Sequence, residues 1–219
     1  VGASPAMVIA PEEASHFAAI ASALSINIGT PRQESLQAMH LAVKSAVKHH
    51  VPWVLDPVAA GVIPWRDQMI NGLIALKPTA IRANASEIKA LAGTGQGGKG
   101  VDSTDSSESA IDAALLLARK TGAIVCVTGE TDYITNGREI LSVTGGSRKT
   151  TMVVGTGCSL SAMVAAFLAQ TEHPLEPVAS ACALAKLAAH QAASVASGPG
   201  SFKVAYIDAL NLIQAKDFY

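Results

Sequence analysis

The stretch "PWVLDPVAAG" (residues 52–61) decides the fold. A short apolar run ends on Asp56, and Pro57 then steers the preceding residue out of the helical region, so the run is a buried strand that stops at a turn. Ligands of open α/β sheets bind just beyond the C-terminal ends of the strands, which puts Asp56 where chemistry is usually done. An aspartate that only organises its own turn fits the same letters.

The next apolar run repeats the arrangement. "TAIRANASEI" (79–88) brings Arg82 to a strand end, where a guanidinium suits a phosphate clamp. Asn84 and Glu87 follow at capping-box spacing, so Glu87 either satisfies a backbone N–H or serves a hydrated magnesium ion, which keeps several waters and borrows one or two acids. A third run, "AIVCVTGE" (123–130), ends on Thr128 and Gly129, a hydroxyl donor for a phosphate oxygen beside a residue that lets backbone approach closely. Asp, Arg and Thr-Gly at three successive strand ends form a joint pattern that chance reproduces far less readily than any one of them.

Further out, strands are expected at "AMVIA" (6–10) and "LSINI" (24–28), alternating with segments of helical spacing, as in β-α units on a largely parallel sheet. "PEEASHFAAIASAL" opens with Pro11 and two acids at the positive end of a helix, "QESLQAMHLAVKSAVKHH" closes on basic and His residues, and "SSESAIDAALLLARKTG" runs from serine caps to Gly122. Asn136-Gly137 within "YITNGREILSVTG" signals an antiparallel hairpin at a sheet edge. Helices are expected after it at roughly 157–170, 174–196 and 206–217. The result is a three-layer α/β domain with a helical C-terminal third.

"VVGTGCSLSA" (153–162) places Gly155 and Gly157 at the start of one of those helices. Unpaired N–H groups and the positive helix end converge there on an anion site. Cys158 stands at its edge. The helix end favours a thiolate, which can take the proton of an attacking hydroxyl. Inert packing is the bland alternative. A cysteine-hydrolase nucleophile needs a positioned histidine, and all six fall within or between helix patterns. The glycine-rich "GTGQGGKG" (93–100) mimics dinucleotide and P-loop motifs, but it follows a helical segment and has Gly100 where a P-loop carries Ser or Thr. It is expected to be a surface loop.

Composition excludes several classes. Sixteen basic and seventeen acidic residues nearly cancel, with no basic cluster for nucleic acid. The charge-free stretch 150–171 holds too many Gly, Ser and Thr for a membrane span. Three cysteines with no C-x-x-C suggest neither a disulfide framework nor zinc and fit a reducing cytoplasm. Only 15% of the 219 residues are charged, which hints at surface buried in a homo-oligomer. No linker divides the chain, so residues 1–219 are expected to form a single domain; it opens on Val1 without an initiator methionine, and an N-terminal segment is expected to be missing.

With these residues in view, the chain resembles the hydroxyethylthiazole kinase family of the ribokinase-like superfamily. The likeness runs end to end through "GASPAM" (2–7), "INIGT" (26–30), "PWVLDPVAAG", "IRANASEI", "GKGVDS" (98–103), "VTGETDY" (127–133), "VVGTGC" and "GPGSF" (198–202). It implies a ribokinase-like αβα sandwich with a mostly parallel central sheet, and ATP- and Mg2+-dependent phosphorylation of the alcohol of 4-methyl-5-(2-hydroxyethyl)thiazole. By motif it implies that Met7 and Gly155 contact the thiazole, that Arg82 and Thr128 hold the ATP phosphates, beside which the strand end and the helix start put Gly129 and Gly157, and that Asp56 and Glu87 hold magnesium and its water shell. Cys158 takes the place where most ribokinase-like enzymes carry an aspartate base. The resemblance also implies a homotrimer with active sites between subunits. Two departures stand out: Ala83 replaces the family's usual glycine, which implies strain if the position needs positive φ, and the family's N-terminal Thr-Ala-Asn motif is absent. A same-fold kinase of another vitamin-precursor alcohol, such as hydroxymethylpyrimidine, and a catalytically silent binding module are the alternatives.

Overall fold

A computed structural model of the chain describes residues 1–95, 105–169 and 171–218. Six strands form one sheet in chain order: β1 (Leu24–Asn27), β2 (Trp53–Asp56), β3 (Ala80–Asn84), β4 (Ile124–Thr128), β5 (Asp132–Thr135) and β6 (Ile140–Val143). The first four pair in parallel, and β4, β5 and β6 pair antiparallel, with the Asn136-Gly137 hairpin at the edge as expected. Gly137 takes φ +88°, the left-handed conformation that its turn requires. The helices are α1 (Pro11–Ile20), α2 (Gln33–Lys48), α3 (Pro64–Ile74), α4 (Ala85–Ala92), α5 (Ile111–Thr121), α6 (Thr156–Leu168), α7 (Leu175–Val195) and α8 (Pro199–Leu212).

Side chains alternate across the strands into two cores. Trp53, Leu55, Ile81 and Ala83 pack with Leu36 and Val43 of α2, Ile70 and Leu73 of α3, Ile88 of α4 and Leu117 of α5. Val54, Ala80, Ile124 and Cys126 face the other layer, made by α6 and α7. Alanines let α7 and α8 approach closely around Phe202 and Tyr206, whose rings stack with centroids 5.9 Å apart. The alternation matters for the site. Arg82, between Ile81 and Ala83, must point towards α6.

Four expectations change. Residues 6–10 form no strand: Pro5 lacks an N–H and Pro11 starts α1, so the short run between them makes no ladder, and Val8 packs on the α1–α2 contact instead. The strand expected to end at Arg82 continues to Asn84, so Arg82 lies within it. The last helix begins at Pro199, two turns before residue 206, because proline is pre-organised for the first helical turn. The same signal at Pro64 starts α3, which was not anticipated. Ala83 is buried and extended in β3 and is not among the positive-φ residues, so the expected strain is absent. Of the glycine-rich segment 93–100, residues 96–100 lie outside the described residues; Gly93 is the left-handed C-cap of α4.

Candidate active site

Parallel register places Asn27 beside Asp56 and Asn84 beside Thr128, so the ends of four strands open on the start of α6. Asp56 is 2% exposed, and its Oδ2 accepts three donors from three elements: Asn27 Nδ2 at 2.8 Å, Ser161 Oγ of α6 at 2.9 Å and Arg82 at 3.4 Å. Arg82 also donates to Thr128 Oγ1 at 3.1 Å, while Thr128 donates on to the Ala83 carbonyl. Burial opposes the guanidinium charge, but Asp56 above all, with Glu87 and Asp132, outweighs it and raises Arg82 above its ordinary value. Its Nε is buried without a partner. An ion pair taken out of water this way contributes little net stability.

The helix start is shaped around that arginine. Gly155, the N-cap, has φ +98°, and among the described residues no side chain caps α6. The first N–H groups of the helix therefore have no side-chain cap to answer them. At Gly157 a Cβ would fall 2.7 Å from an Arg82 guanidinium nitrogen, so only glycine lets the cation lie against the helix end. Thr156 anchors the approach by donating to the Thr150 and Val153 carbonyls. Cys158 is exposed at this edge, and its Sγ accepts from Asn27 Nδ2 at 3.2 Å.

The β3–α4 corner is closed. Glu87 is 5% exposed; its Oε2 accepts from Asn84 N at 3.0 Å, its Oε1 from Ala59 N at 2.7 Å, and Asn84 Oδ1 caps the Glu87 N–H in return. The capping box is thus formed, with a third bond to Ala59, whose left-handed backbone (φ 63°) belongs to the turn after Asp56. Burial raises the Glu87 carboxyl above its ordinary value, against the pull of those backbone bonds and of Arg82.

Gly129 is held from both sides: its N–H donates to Asp132 Oδ1 at 2.9 Å and its carbonyl accepts from Lys186 Nζ at 3.1 Å. What comes close to Gly129 is Ser107, whose Oγ would lie 2.7 Å from an added Cβ. Lys186 also pairs with Asp132 at 3.3 Å and grips the Glu130 carbonyl, so α7 fixes the turn after β4. Burial raises the Asp132 carboxyl, against Lys186 and the Gly129 amide.

The structure therefore brings Asp56, Arg82, Thr128, Gly157 and Cys158 into one hydrogen-bonded and packed cluster, with Gly155 at its rim. Met7 stands outside it, 91% exposed before α1. Sequence reasoning missed Asn27, Ser161 and Lys186. The first had a signal, a polar residue closing an apolar strand two residues before a glycine. The other two look like ordinary helix residues.

Among the described residues no group of three or more His, Cys, Asp or Glu is placed to hold an ion; of the two acids expected to serve magnesium, Asp56 lies in the cluster and Glu87 accepts backbone N–H groups on both oxygens. A magnesium ion, which keeps its waters and relies on one or two carboxylates plus substrate phosphates, needs no such group. No helix among the described residues is long and apolar enough to cross a membrane.

A parallel sheet whose strand ends carry an acid, a guanidinium and a hydroxyl against an uncapped, glycine-opened helix defines a ribokinase-like small-molecule kinase. The comparisons agree. Residues 1–216 match the model of the hydroxyethylthiazole kinase family. A hydroxyethylthiazole kinase of Escherichia coli O6:K15:H31 is 56% identical over 210 residues, 96% of this chain and 80% of that one; one from Tolumonas auensis is 53% identical over 98% and 81%. The solved structure of a hydroxyethylthiazole kinase protein from Pyrococcus horikoshii OT3 superposes with a TM-score of 0.90 at 34% identity, covering 99% of this chain and 82% of that one. The Bacillus subtilis pyridoxal kinase in its ADP complex shares the fold, with a TM-score of 0.58 at 24% identity over 78% of this chain and 65% of that one. The chain belongs to the hydroxyethylthiazole kinase family, the phosphotransferases of thiamine salvage.

Proposed function

We propose that residues 1–219 act as one kinase domain that transfers the γ-phosphoryl group of ATP to the primary alcohol of 4-methyl-5-(2-hydroxyethyl)thiazole. The observation that carries this reading is the Arg82 guanidinium lying against the open start of α6 at Gly157, tied to Asp56 and Thr128. Phosphoryl transfer spreads negative charge over the equatorial oxygens, and fixed donors aimed at one point are what stabilise it.

In this assignment Arg82, Thr128, Gly129 and Gly157 hold the phosphates, and Gly155 and Met7 contact the thiazole. Asp56 and Glu87 would hold the magnesium ion and its water shell. That ion, when bound, neutralises phosphate charge. The Cys158 thiolate takes the alcohol proton as the alcohol oxygen bonds to the γ-phosphorus and the bond from phosphorus to the ADP oxygen breaks; no covalent enzyme intermediate forms. We further propose a homotrimer with sites shared between subunits, which the exposure of Met7, Met152 and Val154 supports, and a cytoplasmic location, which the unpaired thiols Cys126, Cys158 and Cys182 fit.

A coupled ADP-release assay with the thiazole and hydroxymethylpyrimidine alcohols side by side tests the reading. Turnover of the thiazole alcohol is expected, and no turnover of either overturns it. Cys158→Ala should lower kcat about a hundredfold or more at an unchanged KM for ATP, whereas Cys158→Asp should keep phosphorylating. Wild-type turnover in Cys158→Ala would reduce the thiol to packing.

A further inference from the structure

We propose that Asn27 is a positioning residue that fixes the Cys158 sulfur relative to Asp56, a role that deepens the assignment of Cys158 made above. The side-chain amide at the end of β1 spans two groups on different elements: its two N–H bonds go to Asp56 Oδ2 on β2 at 2.8 Å and to Cys158 Sγ on α6 at 3.2 Å. Its Oδ1 accepts the Gly29 N–H at 2.8 Å.

The amide has one chemically sensible orientation. Turned over, its oxygen would face the Asp56 carboxylate and its NH2 would face the Gly29 N–H, so both contacts would become repulsive. The turn is built to keep it so. A Cβ at Gly29 would lie 2.8 Å from Asn27 Oδ1, which leaves glycine as the residue that fits there. The half-buried amide therefore presents a fixed donor to the lone pairs of the Cys158 sulfur. Two charged groups face this corner from the packed elements: Asp56, which the amide itself bridges, and Arg82, whose guanidinium lies against Gly157.

The test separates this claim from the base assignment. Asn27→Asp keeps the acceptor that the Gly29 N–H needs but replaces the donor by an oxygen facing both the Asp56 carboxylate and the sulfur, so it combines loss of the donor with added negative charge; Asn27→Ala removes donor and acceptor without adding charge. Alkylation of Cys158 by iodoacetamide at one fixed pH is followed by mass spectrometry on the full chain. Cys126 and Cys182 are fully buried and stay unmodified in a folded variant. Both variants are expected to slow alkylation at Cys158 at least threefold, Asn27→Asp the more, because a carboxylate beside the sulfur disfavours its anion. In turnover, Asn27→Ala should lower kcat about tenfold in the native background and less than twofold in Cys158→Ala, since a residue that acts through another adds little once that other is gone. Unchanged alkylation in both variants overturns the positioning role, as does an equal loss of kcat in both backgrounds. Wild-type turnover in Cys158→Ala would instead overturn the base assignment, while the alkylation rates still decide the role of Asn27.

Discussion

Two helices begin beside the site, and they treat their first N–H groups in opposite ways. The start of α4 is closed, with Asn84 and Glu87 capping each other and the second Glu87 oxygen engaging Ala59. The start of α6 is open, with a left-handed glycine for its N-cap and the Arg82 guanidinium against its first turn. Both are positive helix ends within one cluster of strand ends. The closed one stabilises the fold by answering its own donors, and the open one has no side chain to do so, work that in the proposed function falls to a phosphate. The residues that differ are small: glycine at 155 and 157 against asparagine at 84 and glutamate at 87.

The largest effect should come from filling the open end. Gly157→Ala places a methyl 2.7 Å from an Arg82 nitrogen that Asp56 and Thr128 already hold, so the guanidinium must leave its partners. We expect kcat to fall about a hundredfold, the size of losing an aligned donor to transition-state charge, together with a lowered melting temperature, because a displaced guanidinium leaves the buried Asp56 without its cation. Native turnover in this variant would break the comparison, since the open end would then not be the phosphate site.

How much of this could be foreseen from the letters depends on how local the cause is. The places of Asp56 and Thr128 were legible because a strand that ends in a polar residue and a turn carries that message in its own sequence, and Arg82 was legible as a lone charge in an apolar run although its strand continues to Asn84. The mostly parallel sheet and the Asn136-Gly137 hairpin at its edge were legible from equally local signals. Residues 6–10 misled because a β-rich run says nothing about whether a partner strand is available. Lys186 and Ser161 were invisible because they sit inside helices, where nothing nearby in sequence marks the turn or the acid that they reach across 57 and 105 positions. Glu87 shows a third case. Its spacing announced the capping box, but the bond to Ala59, which ties α4 to the turn after β2, depends on tertiary packing.

A middle-sized effect should follow from opening the closed end. In Glu87→Gln one amide face still accepts, while the NH2 group meets a backbone N–H that it cannot satisfy. Leaving a buried donor unpaired costs about 1–3 kcal/mol, which for a chain of this size lowers the melting temperature by about 2–4 °C per kcal/mol. Turnover at saturating magnesium should fall by less than in Gly157→Ala. A kinetic loss as deep as that of Gly157→Ala, at an unchanged melting temperature, would show that α4 is a ligand end like α6 and that the contrast is false.

The smallest effect is on pH dependence, and its sign separates the two ends further. Burial first, and Asp56 after it, hold the Glu87 carboxyl above its ordinary 4.5, despite the Asn84 and Ala59 amides and Arg82. Asp132 is likewise held above 3.8 by burial, despite Lys186. A carboxyl raised in the folded state binds its proton more tightly there than in the unfolded chain, so its contribution to stability is complete below the ordinary value and is lost as pH rises through the raised one. The stability deficit of Glu87→Gln relative to the native chain, read from urea midpoints, should therefore be largest near pH 4 and shrink towards pH 7, by about 1.4 kcal/mol for each unit by which the carboxyl is raised. A deficit that grows with pH would mean that the backbone donors outweigh burial and that the α4 end prefers an anion. The closed helix start would then share the electrostatics of the open one, and only its occupation by Glu87 would keep a phosphate away.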